Sequence, residues 1–272
     1  MFTLTGFADE ISDDLDVQLN VLTDLGLGYL ELRGVWGKNV LALTDKEVET
    51  IKVKMDAKGI RVSAIGSPIG KIKIDDPFEP HLQDFRRAIE LAEFFDCKYI
   101  RMFSFYVPEG QAAAYRTEVM ERLGALLEAA KGHPVVLLHE NERRIYGDIP
   151  ERCRDILETF DSDQLRMTFD PANFVICGAR PFSDGYDLLQ DYIEYIHIKD
   201  ATREGHITPA GQGDGEVREL LTALNARGFD GFLSLEPHLS MAGDLRGFSG
   251  PELFGVAAKA LREVLKEIGA TA

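Results

Sequence analysis

The chain has 272 residues, 45% hydrophobic and 28% charged, the balance of a soluble globular protein long enough to bury a large core. It sets 30 basic against 46 acidic residues, a net charge of −16, which opposes nucleic acid and anionic membrane surfaces as partners. No run approaches the roughly 18 apolar residues of a membrane-spanning helix, and the first residues lack the basic and apolar regions of a signal peptide. Cys97, Cys153 and Cys177 are odd in number and widely spaced, which fits a reducing cytoplasm and no disulfide framework.

In chain order, short β-like runs alternate with amphipathic stretches. Residues 3–7 form the first run; a helix follows, with Asp13 as candidate N-cap and Gly26 past its end. Residues 29–32 come next, then a helix opened by Thr44 and closed by Gly59. Residues 61–65 precede a stripe of Leu82, Phe85, Ile89 and Ala92, and residues 99–103 precede one of Met120, Leu123, Leu127 and Ala130 that ends at Gly132. Residues 135–139 lead to a helix with Pro150 at its start. Residues 166–169 are followed by the weakest helical pattern, 183–190, which is short and holds Gly185. Residues 195–198 precede a helix that stops at Gly228, and residues 232–235 precede the last stripe, from Leu253 to Ile268.

Several of these runs are nearly continuous in apolar residues, as strands covered on both faces should be. No linker or low-complexity tract divides the chain. Eight strand–helix alternations predict an α/β fold, a (β/α)₈ barrel forming a single domain over residues 1–272. The competing architecture is an open doubly wound sheet, but no G-x-G-x-x-G follows the first run.

In such a barrel the site lies at the C-terminal rim. There the last four strands end in Glu140, Asp170, His197 and Glu236. Carboxylate oxygens with one imidazole nitrogen suit Mn²⁺, Co²⁺, Mg²⁺, Fe²⁺ or Zn²⁺, and no thiolate is placed for a closed zinc site. Side chains two apart on a strand share a face, so Glu142, Lys199 and His238 are candidates to share the pocket. His139 alternates away from Glu140, as a supporting or packing histidine would. The loop Gly211-Gln212-Gly213-Asp214-Gly215 has the glycines of a phosphate cradle, yet Asp214 and Glu216 would repel a dianion, so a pocket-edge loop is the preferred reading.

The segments L-L-H-E-N-E at 137–142, F-D-P-A-N-F at 169–174, H-I-K-D at 197–200 and S-L-E-P-H at 234–238 resemble the xylose-isomerase-like TIM-barrel superfamily. G-F-A-D-E-I-S at 6–12 and Y-L-E-L-R at 29–33 fit its first two strands. The resemblance is to the branch of sugar phosphate isomerases and epimerases, with ketose 3-epimerases and inosose-processing enzymes among its relatives. It implies one divalent metal, Mn²⁺ first, held by Glu140, Asp170, His197 and Glu236. It also implies that Glu140 and Glu236 are the acid–base pair, with Arg203 reaching substrate oxygens. Two positions depart from the epimerase pattern: Asn173 stands where many relatives have a histidine, and Tyr146 where a glutamate is usual. Asn173, His139, Glu142, Lys199, His238 and Trp36 complete the candidate substrate-binding set. Trp36 either walls a sugar pocket or packs its own loop.

The expected activity is therefore metal-dependent sugar isomerisation or epimerisation by α-proton transfer through an enediolate, with a sugar or keto-sugar as partner. The alternative is a lyase or hydrolase on a keto-sugar, after inosose dehydratases or 3-oxo-glycoside-cleaving enzymes. A non-catalytic sugar-binding barrel is a further reading, and a homo-oligomer is left open. A resemblance to endonuclease IV carries little weight, because that chemistry needs a histidine-rich three-metal centre and a basic surface, and this chain has six histidines and an acidic balance.

Overall fold

A computed structural model describes residues 1–239 and 249–271. The strands are β1 (Thr3–Gly6), β2 (Tyr29–Leu32), β3 (Arg61–Ile65), β4 (Tyr99–Met102), β5 (Val136–Glu140), β6 (Leu165–Phe169), β7 (Ile193–Ile198) and β8 (Phe232–Leu235). They form one parallel sheet in the order β1-β8-β7-β6-β5-β4-β3-β2, and a parallel bridge between Phe7 and Glu31 brings its two edges together. This is the (β/α)₈ barrel the alternation predicts, with each strand run matched to within two residues of its expected limits. β5 runs one residue further than expected, so Glu140 ends the strand instead of following it.

The helices are α1 (Leu15–Asp24), α2 (Asp45–Asp56), α3 (Phe78–Phe94), α4 (Ala112–Ala130), α5 (Pro150–Phe160), α6 (Pro171–Ile176), α7 (Asp187–Leu189), α8 (Val217–Ala226) and α9 (Gly250–Glu267). Thr44 and Glu47 form a reciprocal capping box on α2. The N-cap of α1 is Asp14, one residue beyond Asp13, and its carboxylate accepts the Val17 N–H. The connection after β6 is irregular, as the weak pattern there suggests: α6 is short, and a π-helical turn (Pro181–Tyr186) runs into α7. No helix among the described residues is long and apolar enough to cross a membrane.

Period-two alternation sorts the barrel interior by depth. Tyr29, Tyr99, Tyr195 and Phe232 meet ring to ring, with centroids 5.0 to 6.3 Å apart, and close one end. Above them is a polar layer in which Thr5, Ser63 and Tyr195 are joined by hydroxyl hydrogen bonds of 2.8 and 3.0 Å. The next residues inward are Glu31, Arg101, Glu140 and His197 on β2, β4, β5 and β7, and Glu236 just past β8, all buried. The largest cluster of buried apolar side chains spans the helices and strands, and the charged groups sit at the rim.

Candidate metal centre

Glu140, Asp170, His197 and Glu236 each offer a ligating atom, and these atoms lie within 4.8 Å of one another. They come from the ends of β5, β6, β7 and β8. Asp170 serves twice: its Oδ1 accepts the Asn173 N–H at 2.8 Å as the N-cap of α6, while Oδ2 makes no hydrogen bond. The helix cap therefore occupies one oxygen of the carboxylate and leaves the other to face the cluster. The backbone of Asp170 is fixed by Asn141, whose side-chain amide donates to its carbonyl and accepts its N–H, both at 2.9 Å.

The imidazole of His197 is held from behind. Its Nε2 lies 3.2 Å from Glu31 Oε2, an oxygen that also accepts the Ser234 hydroxyl at 2.7 Å. Its Nδ1 faces the cluster, 3.2 Å from Glu140 and 3.7 Å from Glu236, without the alignment of a hydrogen bond. A carboxylate behind a histidine whose other nitrogen points at further carboxylates is the arrangement that orients metal-binding imidazoles. Asp170 Oδ2, which faces Lys199 Nζ at 2.9 Å without hydrogen-bond alignment, and His197 Nδ1, which has no aligned partner, join an oxygen-rich set of carboxylates whose chemistry fits a divalent cation.

Cations surround the carboxylates. Arg101 reaches Glu140 at 3.2 Å, and Arg33 reaches Glu236 at 2.9 Å while also binding Asp9 and Glu10. Lys199 Nζ lies 2.9 Å from Asp170 and 3.0 Å from Glu236. Burial opposes ionisation of Glu140, but His197 and Arg101 prevail and hold it near 2. Glu236 is likewise depressed against burial, by Lys199 and His238. At Asp170 burial prevails over Lys199 and raises the carboxyl to about 6. Burial would lower His197, but Glu140 and Glu31 raise it to about 10. Gathering so many buried charges gives little stability by itself, and such clusters mark functional sites.

The other candidate residues divide. Lys199 stands inside the cluster, and His238 stands at its edge, with Nδ1 2.6 Å from Glu10 and Nε2 3.5 Å from Glu236. Asn173 directs its amide to Glu140 Oε1 at 3.2 Å and to the Asn141 carbonyl at 2.9 Å, so it positions a ligand. Glu142 is half-buried and binds Lys71 at 3.2 Å. Three residues are not brought to the cluster. His139 is fully buried against Ser104, at 2.9 Å, because it faces the other side of β5. Arg203 is exposed in the turn of the ribbon pairing Asp200–Ala201 with Ile207–Thr208, where its backbone N–H, not its side chain, is engaged by Asp214. Trp36 is 37% exposed in the turn of the ribbon pairing Gly34–Val35 with Lys38–Asn39. Tyr146 is buried with its hydroxyl on Asp155. The phosphate-cradle reading of the glycine loop fails, since the amides of Gly211, Gly213 and Gly215 all donate to the Asp200 carboxylate at 2.9 to 3.0 Å.

Glu31, Arg33 and Arg101 are the residues that sequence reading missed. The signal was present: the same two-residue alternation that nominates Lys199, applied to residues 29, 31 and 33 and to 99 and 101, points all three inward.

Comparison with known proteins agrees with this fold. The profile of the family described as xylose isomerase-like TIM barrel matches residues 19–266. Among solved structures, a D-tagatose 3-epimerase-like protein superposes with a TM-score of 0.79 at 19% identity, covering 98% of each chain. The IolI protein, solved with a bound zinc atom, gives 0.77 at 17% identity over 98% of this chain and 99% of that one. The probable 3-DHS dehydratase AsbF from Bacillus anthracis gives 0.74 at 19% identity over 96% and 98%.

Proposed function

Since this chain belongs to the xylose isomerase-like TIM-barrel family, we propose that it is a divalent-metal-dependent isomerase or epimerase of a sugar or keto-sugar, working by α-proton transfer. The observation that carries this reading is the meeting of Glu140 and Glu236 with Asp170 and His197 in one buried cluster whose ligand-type atoms lie within 4.8 Å of one another. A bound cation supplies the positive charge that makes a hydrogen next to a carbonyl acidic. Mn²⁺ is the first choice for an oxygen-rich set with one imidazole.

The chain's own groups do the rest. His197 and Arg101 keep Glu140 ionised, and Lys199, His238 and Arg33 do so for Glu236, so each enters the reaction able to accept a proton at a carboxylate oxygen. One takes the α-proton; the other, ionised at the outset, first gains a proton from solvent or a substrate hydroxyl and then delivers it to the opposite face. The Lys199 ammonium stands where it can donate to the substrate oxygen on which negative charge grows. Phe7 packs edge-on to His197 with centroids 5.1 Å apart, and the Arg33 and Arg101 guanidinium carbons lie over its ring at 4.3 and 4.9 Å, which shields these charges from water. The acidic balance of the chain favours a small sugar over nucleic acid as partner.

A lyase reading has its own support. The Asn173 amide is committed to Glu140 and Asn141 and does not titrate, so the position lacks the histidine that can exchange a proton with a substrate hydroxyl. Loss of a β-substituent after proton removal needs no return of a proton to carbon. Glu140→Gln and Glu236→Gln are expected to lower turnover about 10³-fold each, with the near-ultraviolet circular dichroism retained. Full activity in both would end the two-carboxylate mechanism, and release of water or aglycone without an epimer would select the lyase.

A further inference from the structure

A cavity of about 1170 Å³ opens over β3, β4 and β5, and Glu142, two residues beyond the ligand Glu140, lines it. Its ledge is built from the loops after these three strands. Ile74 N–H donates to Tyr106 O at 2.9 Å, Tyr106 N–H to Ile72 O at 2.9 Å, and Val107 N–H to Arg144 O at 3.0 Å. Gly70 makes this close approach feasible: its φ is +87°, and a Cβ there would stand 2.0 Å from the Phe103 carbonyl oxygen.

The charges on this ledge are unevenly matched. Lys71 is engaged by Glu142 and Arg152 by Asp148. Lys73, Arg143 and Arg144 line the same cavity and form no ion pair among the described residues. The remaining lining carboxylates, Asp75 and Glu109, stand on exposed turns. In a chain of net charge −16, most cations have a carboxylate partner close by, so three unpartnered ones on one wall stand out. Arg144 also holds a φ of +69°, a left-handed conformation in which glycine or asparagine is less strained.

The ledge and the metal cluster adjoin along the chain. Glu142, in the cavity wall, lies two residues beyond Glu140, and Ile176 and Cys177, in the same wall, end α6, the helix that Asp170 caps. Tyr106 lines the same cavity as Arg143 and Arg144, and burial raises its hydroxyl above the ordinary range, so it stays protonated as a donor.

We propose that this ledge is the subsite for an anionic group on the substrate: the keto-sugar carries a carboxylate or a phosphate held by Arg143, Arg144, Lys73 and the Tyr106 hydroxyl, while its keto end reaches the metal cluster. Guanidinium forks match either anion with two parallel hydrogen bonds. The assignment rests on the reading of the cluster as the reacting centre.

The test is calorimetric binding of three matched keto-sugars to the Mn²⁺-loaded full chain: a neutral ketose, its uronate and its phosphate ester. α-Hydrogen exchange in D₂O is recorded separately on each. At least one anionic sugar is expected to bind about tenfold or more tighter than the neutral one. Preference for the uronate assigns a carboxylate, and preference for the ester a phosphate. The paired substitution Arg143→Gln with Arg144→Asn, which keeps a residue tolerant of the left-handed backbone, is expected to collapse that preference toward one. Equal affinity for all three sugars, or an unchanged preference in the substituted protein, would overturn the proposal. Anion preference lost on substitution, with no exchange on any sugar, would keep the subsite and remove the proton-transfer reading. Exchange without anion preference would do the reverse.

Discussion

Glu31 acts through another residue. It lies 3.2 Å from the far nitrogen of His197 and accepts the Ser234 hydroxyl, which fixes the ring with Nδ1 toward the carboxylates. Partners of this kind contribute about 10- to 100-fold to metal affinity. Glu31→Gln is therefore expected to weaken Mn²⁺ binding by that factor in a direct titration, while an unchanged dissociation constant would reduce Glu31 to a packing role. His139 shows the opposite case, a histidine beside the site that belongs to the core. Burial lowers it to about 4 against an ordinary 6.5, so the folded protein keeps it neutral where the unfolded chain takes a proton. The folded-state value is depressed, so the stabilisation is present above about pH 6.5 and is lost as pH falls toward 4, by about 3 kcal/mol at most. Urea unfolding in chelator at pH 7 and pH 4.5 should show a steeper loss for the native chain than for His139→Gln. Parallel profiles would contradict it.

The loop after β7 shows how one carboxylate organises an element. Asp200 accepts N–H groups from Ala201, Gly211, Gly213 and Gly215, and a Cβ at Gly213 or Gly215 would stand 2.5 Å from its Oδ1. Asp200→Asn turns one acceptor into a donor facing donors. It should destabilise the fold by about 2–3 kcal/mol in denaturant unfolding, and a loss below about half a kcal/mol would show that the loop holds itself. The glycines at 211, 213 and 215 were legible as a tight loop, but their binding partner was not, because a carboxylate from the same connection satisfies amides as well as a phosphate does. Strand limits were legible because buried parallel strands read as apolar runs. The segment after β6 was not legible as a regular helix, since Gly185 packs against Pro150 and the π-helical turn there has no periodic signature. Likewise Glu31, Arg33 and Arg101 hide in β2 and β4 because a charged residue in a strand reads as exposed until the barrel closes around it.

The whole molecule separates stability from chemistry along its axis. Aromatic rings seal one end, hydroxyls fill the middle, and a dense network of ion pairs meets at the rim. The cluster of Glu140, Asp170, His197 and Glu236 was legible because each ends a strand run, and four strand ends in sequence order converge only in a closed barrel. The ledge over β3 to β5 was not legible, since three loops far apart in the chain meet there. The central claim is that the rim removes a proton next to a carbonyl with the help of a bound cation. Its most direct test is deuterium uptake: neutral and acidic keto-sugars incubated with Mn²⁺-loaded protein in D₂O, quenched with chelator and read by mass spectrometry. Deuterium is expected at a single α-carbon of at least one sugar, abolished by exhaustive metal removal and by Glu140→Gln. Uptake that persists without metal, or no uptake from any keto-sugar in the fully loaded protein, would contradict it.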